Sequence, residues 1–230
     1  MLVPELAGGR TTLRGAEAHH LRDVLRLRPG ADVEAFDGRG TEASARVVSL
    51  SKEAVVLEVE EPGAGLVEAP IALTLAVSLL KGDKLADVVR KGTELGVVRF
   101  RLFGCRRADV PTLSSSKLRR YRRVAEEAAK QSRRSLVPDV VEPTDLHELP
   151  LDGAALVAAP RAASSVREAL AQVPAGALTL ITGPEGGLEP GELAALEARG
   201  ARAVRLGPRI LRAETAPVAL TAAVLLPDAL

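Results

Sequence analysis

The spacing of apolar residues changes about one third of the way along the chain. Up to residue 68, apolar and polar residues alternate in short segments separated by turn residues, a pattern typical of β-strands. Strands are predicted at residues 33–36, 43–50 and 54–59, and a helix with interspersed arginines is predicted at residues 16–27. This part of the chain therefore predicts a small barrel-like β module.

After residue 71, apolar runs alternate with amphipathic segments. Strands are predicted at residues 71–79, 97–103, 154–158, 177–182 and 203–206, and helices at 83–95, 114–134, 165–172, 191–198 and 216–226. Such alternation indicates an α/β domain with a mostly parallel sheet, whose ligands bind at the carboxyl ends of the strands. The Gly- and Pro-rich stretch 61–65 places the domain boundary at residues 67–69, which gives domains 1–68 and 69–230.

Two loops stand directly after predicted strands. The first, TGPEGG at residues 182–187, has three glycines in five residues, more than an ordinary tight turn needs. Its bare backbone can approach a flat ligand closely. The second, LGPRILRAETA at residues 206–216, holds Arg209, Arg212 and Glu214 ahead of a helix for which Thr215 is the predicted N-cap. These two loops predict a ligand site.

Composition excludes several classes of site. With one cysteine and three histidines, the chain cannot form an internal disulfide or a Cys-based zinc cluster. Residues 38–43 match the dinucleotide-binding fingerprint as a string, but they lead into a predicted strand and are interpreted as a hairpin turn. The start of the chain lacks a signal-peptide pattern, and no apolar run approaches the ~20 residues of a membrane span. We therefore expect a cytoplasmic protein without membrane contact.

The net charge hides a strongly basic segment. The whole chain carries 31 Lys and Arg against 30 Asp and Glu, whereas residues 99–134 carry 12 cations against 3 anions, a net charge of +9. Like charges this dense repel one another unless a polyanion neutralises them, which favours contact with RNA or DNA over a merely solvated helix face. Asn is absent and 25 of the cations are Arg, which indicates either a thermophile or a GC-rich genome.

Motifs along the whole chain resemble one family. The loops at 181–187 and 206–216 resemble the SPOUT class of S-adenosylmethionine-dependent RNA methyltransferases and, more closely, the 16S ribosomal RNA uracil-N3 methyltransferase (RsmE) family. The likeness extends to HHL at 19–21, VLRL at 24–27, FDG at 36–38, KGDK at 81–84, KGTELGV at 91–97 and EAAKQSRR at 127–134. Two departures are Tyr121, where the family commonly has Trp, and residues 103–105, which replace a proline-containing stretch.

The resemblance implies a PUA-like RNA-binding barrel at residues 1–68 and a trefoil-knotted α/β domain at 69–230, assembled as a homodimer. It implies methyl transfer from S-adenosyl-L-methionine, with S-adenosyl-L-homocysteine as product and no metal. The acceptor would be N3 of a uridine in small-subunit ribosomal RNA, either naked or within the assembled 30S subunit. Two alternatives stay open: a non-catalytic RNA-binding or ribosome assembly protein with this fold, and a SPOUT enzyme acting on another RNA position.

The resemblance also assigns residues to the site. Those expected to enclose the cofactor are Ala158, Pro160, Ile181, Thr182, Gly183, Pro184, Glu185, Gly186, Gly187, Leu206, Gly207, Ile210, Leu211, Arg212, Thr215 and Ala216. We expect Arg212 to stabilise the uracil anion or an RNA phosphate, and Glu214 to orient Arg212. The group that removes the N3 proton is unassigned. The candidate RNA contacts are Arg10, Arg22, Arg26, Arg28, Lys117, Arg119, Arg120, Arg122 and Arg123.

Overall fold

The computed structural model describes residues 1–226, except residues 4, 66, 67 and 175. The chain divides into two compact units, Met1–Glu68 with Ala129–Val137, and Ala69–Ala128 with the chain from Pro138 onward. The predicted boundary at 67–69 includes residue 67, which lies outside the described residues. Residues 129–137 belong to the first unit, whereas the sequence prediction placed them in the second domain.

A buried ion pair joins residues 129–137 to the first unit. Arg134 Nη2 lies 2.6 Å from Glu68 Oε2, and the Arg134 side chain is only 3% exposed. The Leu136 N–H donates to Glu68 Oε1 at 3.1 Å, and Leu136 forms bridges with Gly38 and Arg39. Because a cation buried this deeply needs its counter-charge, the segment stays with Glu68.

The first unit is an antiparallel sheet. Its strands are β1 (Gly9–Arg14), β2 (Asp32–Phe36), β3 (Thr41–Leu50), β4 (Ala54–Val59) and β5 (Gly63–Ala64), in the order β1-β4-β3-β2 with β5 paired to β3. Alternate residues of β3, beginning with Ala43, face one apolar core. The predicted hairpin turn between β2 and β3 is confirmed, and Asp37 Oδ1 accepts the N–H groups of Arg39 and Thr41 at 2.6 and 3.0 Å.

The helix predicted at residues 16–27 is shorter and irregular. Helix α1 spans Gly15–His19 and widens into a π-helical turn at His20–Val24. Arg26 then adopts a φ of 53°, a left-handed conformation that ends the helix. Val24 and Leu25 are consequently 59% and 51% exposed.

The second unit is built on a parallel sheet. Its strands are β6 (Ala72–Ser78), β7 (Arg99–Gly104), β8 (Asp139–Asp145), β9 (Ala154–Ala158), β10 (Ala177–Thr182) and β11 (Ala201–Val204). All neighbouring strands run parallel, in the order β11-β9-β10-β6-β7-β8. The predicted α/β class is therefore confirmed. Strand β11 was predicted at residues 203–206, but it ends at Val204 because the Arg205 N–H leaves the ladder and donates to Ser164 O at 2.9 Å.

Helices alternate with these strands. They are α2 (Lys84–Leu95), α3 (Ser115–Gln131), α4 (Val166–Leu170), α5 (Pro190–Ala198) and α6 (Thr215–Leu225). The prediction of Thr215 as the N-cap of α6 is wrong, because the Arg212 carbonyl already accepts the N–H groups of Thr215 and Ala216 at 2.9 Å and Glu214 becomes the cap residue. Within the described ranges, no helix has the length and apolar character to cross a membrane.

Candidate functional site

Three neighbouring strands end at the same edge of the parallel sheet. Their register pairs Val204 of β11 with Ala158 of β9, and Ile181 of β10 with Val157 of β9. Because parallel strands point the same way, the segments that follow them leave the sheet side by side. The structure thus brings together the three segments to which the resemblance assigned cofactor binding.

The loop that follows β10, residues 183–187, is here called the Gly-rich loop, and it folds tightly onto the chain beyond it. A side chain on Gly183 would place its Cβ 2.9 Å from Leu188 Cγ, so only glycine fits there. Pro184 is buried, and the Gly187 N–H donates to the Pro184 carbonyl at 2.9 Å, which closes a turn. Exposed Gly186 and Gly187 therefore present bare main chain on a rigid base.

A buried hydroxyl lies at the start of this loop. Thr182 is 1% exposed, and its Oγ1 has no hydrogen-bond partner among the residues that the structure describes. A buried hydroxyl without a partner costs roughly 1–3 kcal/mol. The end of β10 therefore offers a polar group that a ligand could satisfy.

The loop that follows β11 is largely open to solvent. Ile210 is 85% exposed, and so is the Arg212 side chain. Arg212 Nη1 lies 4.0 Å from Glu214 Oε1, so the predicted pairing of these two residues is loose. The Arg212 guanidinium is consequently accessible to an anion.

Lys84, the first residue of α2, connects the two loops. Its Nζ lies 2.8 Å from Glu185 Oε1 and 3.6 Å from Glu214 Oε2. The hydrogen bond to Glu185 raises the pKa of Lys84. Burial by itself would raise the pKa of Glu185, but the hydrogen bond from Lys84 and further hydrogen bonds hold it below its usual value. The pair is therefore charged at neutral pH. Sequence reasoning assigned no role to Lys84, although the KGDK string at 81–84 was part of the resemblance.

A groove of about 610 Å³ lies along β11 and is lined by residues 159, 161–164 and 200–203 together with Leu193 and Glu197 of α5. Neither the Gly-rich loop nor residues 206–214 line this groove, so we do not assign it to the cofactor. Within the part of the chain that the structure describes, no three His, Cys, Asp or Glu side chains are placed to hold a metal ion.

The predicted RNA contacts on α3 fall into two groups. Lys117, Arg119 and Arg123 are exposed. Arg120 Nη1 lies 2.6 Å from Asp83 Oδ1, and Arg122 Nε donates to the Val140 carbonyl at 3.0 Å. The hydrogen bond from Arg120 lowers the pKa of Asp83, so this pair is charged at neutral pH. Arg120 and Arg122 thus have partners within the protein.

The predicted RNA contacts of the first unit also differ from one another. Arg26 and Arg28 are exposed. Arg10 Nε lies 3.1 Å from Glu58 Oε2 on the neighbouring strand, with both side chains exposed. Arg22 Nη2 lies 2.5 Å from Asp23 Oδ2, and its Nη1 donates to the carbonyls of Ser51 and Lys52. Arg22 therefore holds the turn between β3 and β4.

The sequence matches two family models in the order of the two structural units. Residues 13–60 match the RNA methyltransferase PUA domain, and residues 67–225 match the RNA methyltransferase domain. The ribosomal RNA small subunit methyltransferase E of Bacillus subtilis (strain 168) is 35% identical to this chain over 220 residues, which are 90% of this chain and 86% of that protein. The chain belongs to the ribosomal RNA small subunit methyltransferase E family. The predicted family is thus confirmed.

Solved structures of methyltransferases share the fold over nearly the whole chain. The ribosomal RNA small subunit methyltransferase E of Neisseria gonorrhoeae, bound to S-adenosyl methionine, is 31% identical with a TM-score of 0.88, and the match covers 98% of this chain and 96% of that one. A putative methyltransferase of Legionella pneumophila, in complex with the same cofactor, is 25% identical with a TM-score of 0.85, over 98% and 96% of the two chains. The predicted fold class, a PUA domain followed by an α/β domain, is confirmed.

Proposed function

We propose that this chain transfers a methyl group from S-adenosyl-L-methionine to N3 of a uridine in 16S ribosomal RNA and releases S-adenosyl-L-homocysteine. The name of the Bacillus subtilis relative supports a small-subunit ribosomal RNA substrate, and the cofactor bound to the Neisseria gonorrhoeae relative supports the methyl donor. The observation that carries the proposal is the Gly-rich loop at the carboxyl end of β10, with the buried Thr182 hydroxyl beside it.

The residues at this edge of the sheet fit such a cofactor. Gly183 leaves the main chain bare, so its N–H and C=O groups can reach an uncharged adenine ring. Thr182 Oγ1 would gain the hydrogen-bond partner that the protein does not supply. Ala158 at the end of β9, Pro160 after it, and residues 206–211 after β11 would complete the enclosure. Lys84 holds the Gly-rich loop to Glu214, at the end of the second loop.

Methyl transfer needs negative charge on the uracil to be stabilised. The cofactor supplies a methyl group on a positively charged sulfur, and uracil N3 accepts it after losing its proton. Arg212 is exposed and always charged, which suits it to stabilise the anion or an adjacent phosphate. Glu214 lies close enough to bias the orientation of Arg212. Arg212 is always protonated and therefore cannot accept the N3 proton itself.

The proposal includes the assembly of the enzyme. We expect the loops after β10 and β11 to form a trefoil knot around the cofactor, and two chains to form a homodimer. We expect the enzyme to work in the cytoplasm, on naked RNA or on the 30S subunit.

Equilibrium dialysis with labelled S-adenosyl-L-methionine tests whether this protein is an enzyme or a non-catalytic assembly factor. We expect saturable binding that S-adenosyl-L-homocysteine displaces. No binding would favour the assembly factor. A methyl group on a ribose oxygen of the treated RNA would favour a related enzyme with a different target position.

A further inference from the structure

A second loop packs against the Gly-rich loop and has no role in the proposed function. This loop, residues 105–109, follows β7 and is here called the basic loop because it carries Arg106 and Arg107. Arg107 Nη1 donates to the Gly186 carbonyl at 3.3 Å, and a Cβ on Gly186 would lie 3.0 Å from Arg107 Cβ. The Arg107 side chain of the basic loop therefore contacts the main chain of the Gly-rich loop.

Glu192, in the first turn of α5, holds the two segments together. It is only 5% exposed. Its Oε1 accepts the N–H of Arg106 at 2.8 Å, and its Oε2 accepts the N–H of Glu189 at 2.8 Å. Hydrogen bonds to a carboxylate are stronger than bonds between neutral groups. The main chain of the basic loop is consequently fixed to the chain that leaves the Gly-rich loop.

Arg106 extends from this fixed main chain into solvent. Its side chain is 79% exposed, and its Nε lies 3.8 Å from Glu189 Oε2, near the upper limit for an ion pair. An exposed pair of this length contributes little to folding stability. A guanidinium on an anchored backbone is well suited to bind a phosphate through two hydrogen bonds, because less conformational freedom is lost on binding.

We propose that the basic loop is an RNA contact beside the cofactor site, in which Arg106 binds a backbone phosphate and buried Glu192 is the positioning residue that couples this contact to the Gly-rich loop. The inference rests on the proposed function. A cofactor that shifts the Gly-rich loop on binding therefore also shifts the Arg106 main chain through Glu192. RNA and cofactor then bind cooperatively, and each raises the affinity for the other by the same factor.

Arg106→Gln tests the phosphate contact. RNA affinity is measured by fluorescence anisotropy with a labelled fragment of small-subunit RNA over a series of salt concentrations. We expect the slope of log affinity against log salt to fall by roughly 0.7–0.9, the contribution of one phosphate. Arg167→Gln is the matched control, since it removes an exposed arginine from α4, which packs against β11 at the far edge of the sheet. Its slope should equal that of the wild type.

Glu192→Gln tests the coupling. The amide keeps the shape of the side chain but has one acceptor oxygen, so one of the two main-chain bonds is lost. The wild type should bind RNA at least about 5-fold more tightly with S-adenosyl-L-homocysteine than without it. Glu192→Gln should lose most of this gain and keep its cofactor-free RNA affinity. A merely structural role would leave the cooperative gain unchanged.

The outcomes separate the inference from the proposed function. If the wild type methylates the RNA and Arg106→Gln keeps the wild-type salt slope, the phosphate contact is wrong and the function stands. A full cooperative gain in Glu192→Gln overturns the coupling. A wild type that neither binds nor methylates the RNA overturns both. Arg106→Gln decides the phosphate contact even if Glu192→Gln fails to fold, because the Arg106 side chain is exposed.

Discussion

Replacing Thr182 with Val removes a buried hydroxyl and keeps a side chain of nearly the same shape. Thr182 Oγ1 is buried and has no hydrogen-bond partner within the described part of the chain. If this hydroxyl binds the cofactor, Thr182→Val should weaken cofactor binding without weakening the fold. Most substitutions in a protein core, in contrast, lower the free energy of unfolding.

The expected changes in Kd and in melting temperature depend on whether the Thr182 hydroxyl has a hydrogen-bond partner. A net hydrogen bond contributes about 0.5–1.5 kcal/mol, so we expect the Kd for S-adenosyl-L-methionine to rise roughly 2- to 12-fold. In the cofactor-free protein, Thr182→Val removes an unsatisfied polar group. The melting temperature should stay the same or rise, by about 2–4 °C for each kcal/mol gained.

Thr179 on the same strand provides the matched control. Its Oγ1 accepts the Asp152 N–H and donates to the Asp152 carbonyl, both at 2.9 Å, and the residue is fully buried. Thr179→Val leaves both main-chain groups unpaired, which costs about 1–3 kcal/mol for each group. We expect Thr179→Val to lower the melting temperature and leave cofactor affinity unchanged.

Calorimetric titration with S-adenosyl-L-methionine and thermal unfolding of the cofactor-free protein provide the two readouts. The expected pattern is a crossed one, in which Thr182→Val affects binding and Thr179→Val affects stability. If Thr182→Val destabilises the protein as Thr179→Val does, with unchanged cofactor affinity, the Thr182 hydroxyl does not contact the cofactor.

Three further predictions concern charged residues of the same unit. Arg212→Ala should abolish methylation and leave cofactor affinity nearly intact, because it removes only the exposed, loosely paired guanidinium and keeps the main chain that we expect to face the cofactor; unaltered turnover would contradict this role. Arg119→Gln and Arg123→Gln should each lower the salt slope of RNA binding by about 0.7–0.9 per phosphate contact, and an unchanged slope would count against α3 as an RNA surface. Lys84→Met should weaken cofactor binding at neutral pH. Because the pKa of Glu185 is lowered and that of Lys84 is raised, calorimetry should show this loss throughout roughly pH 6–9, and it should vanish only as pH falls through the pKa of Glu185 or rises through that of Lys84. If Lys84→Met weakened cofactor binding only at one end of this pH range, the Lys84–Glu185 ion pair would not be its cause.

The sequence predicts strands best where apolar runs are continuous. The predicted bounds of β4, β9 and β10 agree with the structure, because these strands are rich in Val, Leu, Ile and Ala. Strand β1 was not predicted, since its sequence GRTTLR has one large apolar residue. Strand β8 was also not predicted, because DVVEPTD contains a proline and three acidic residues. Their own residue patterns do not predict strands. Each forms by hydrogen bonding to a neighbouring strand, β1 to β4 and β8 to β7.

The position of the candidate site could be predicted from the sequence because its loops directly follow predicted strands. The parallel register explains why Ala158, Thr182 and residue 206 come from neighbouring strand ends. No sequence pattern signals contacts between residues that are far apart in the chain. Lys84 lies 101 residues from Glu185, and Arg106 lies 86 residues from Glu192. Only the fold brings each pair together, which is why Lys84 and Glu192 have no role in the sequence prediction.

Mass spectrometry of treated ribosomal RNA tests methyl transfer to uracil N3 most directly. Naked 16S RNA and assembled small subunits that lack the modification are incubated with the protein and with S-adenosyl-L-methionine carrying a labelled methyl group, and the digested nucleosides are analysed. We expect labelled 3-methyluridine at a single position, formed by the wild type and not by Arg212→Ala. RNA that stays unlabelled at saturating cofactor, or a label on a ribose oxygen or on another base, would contradict the proposed reaction.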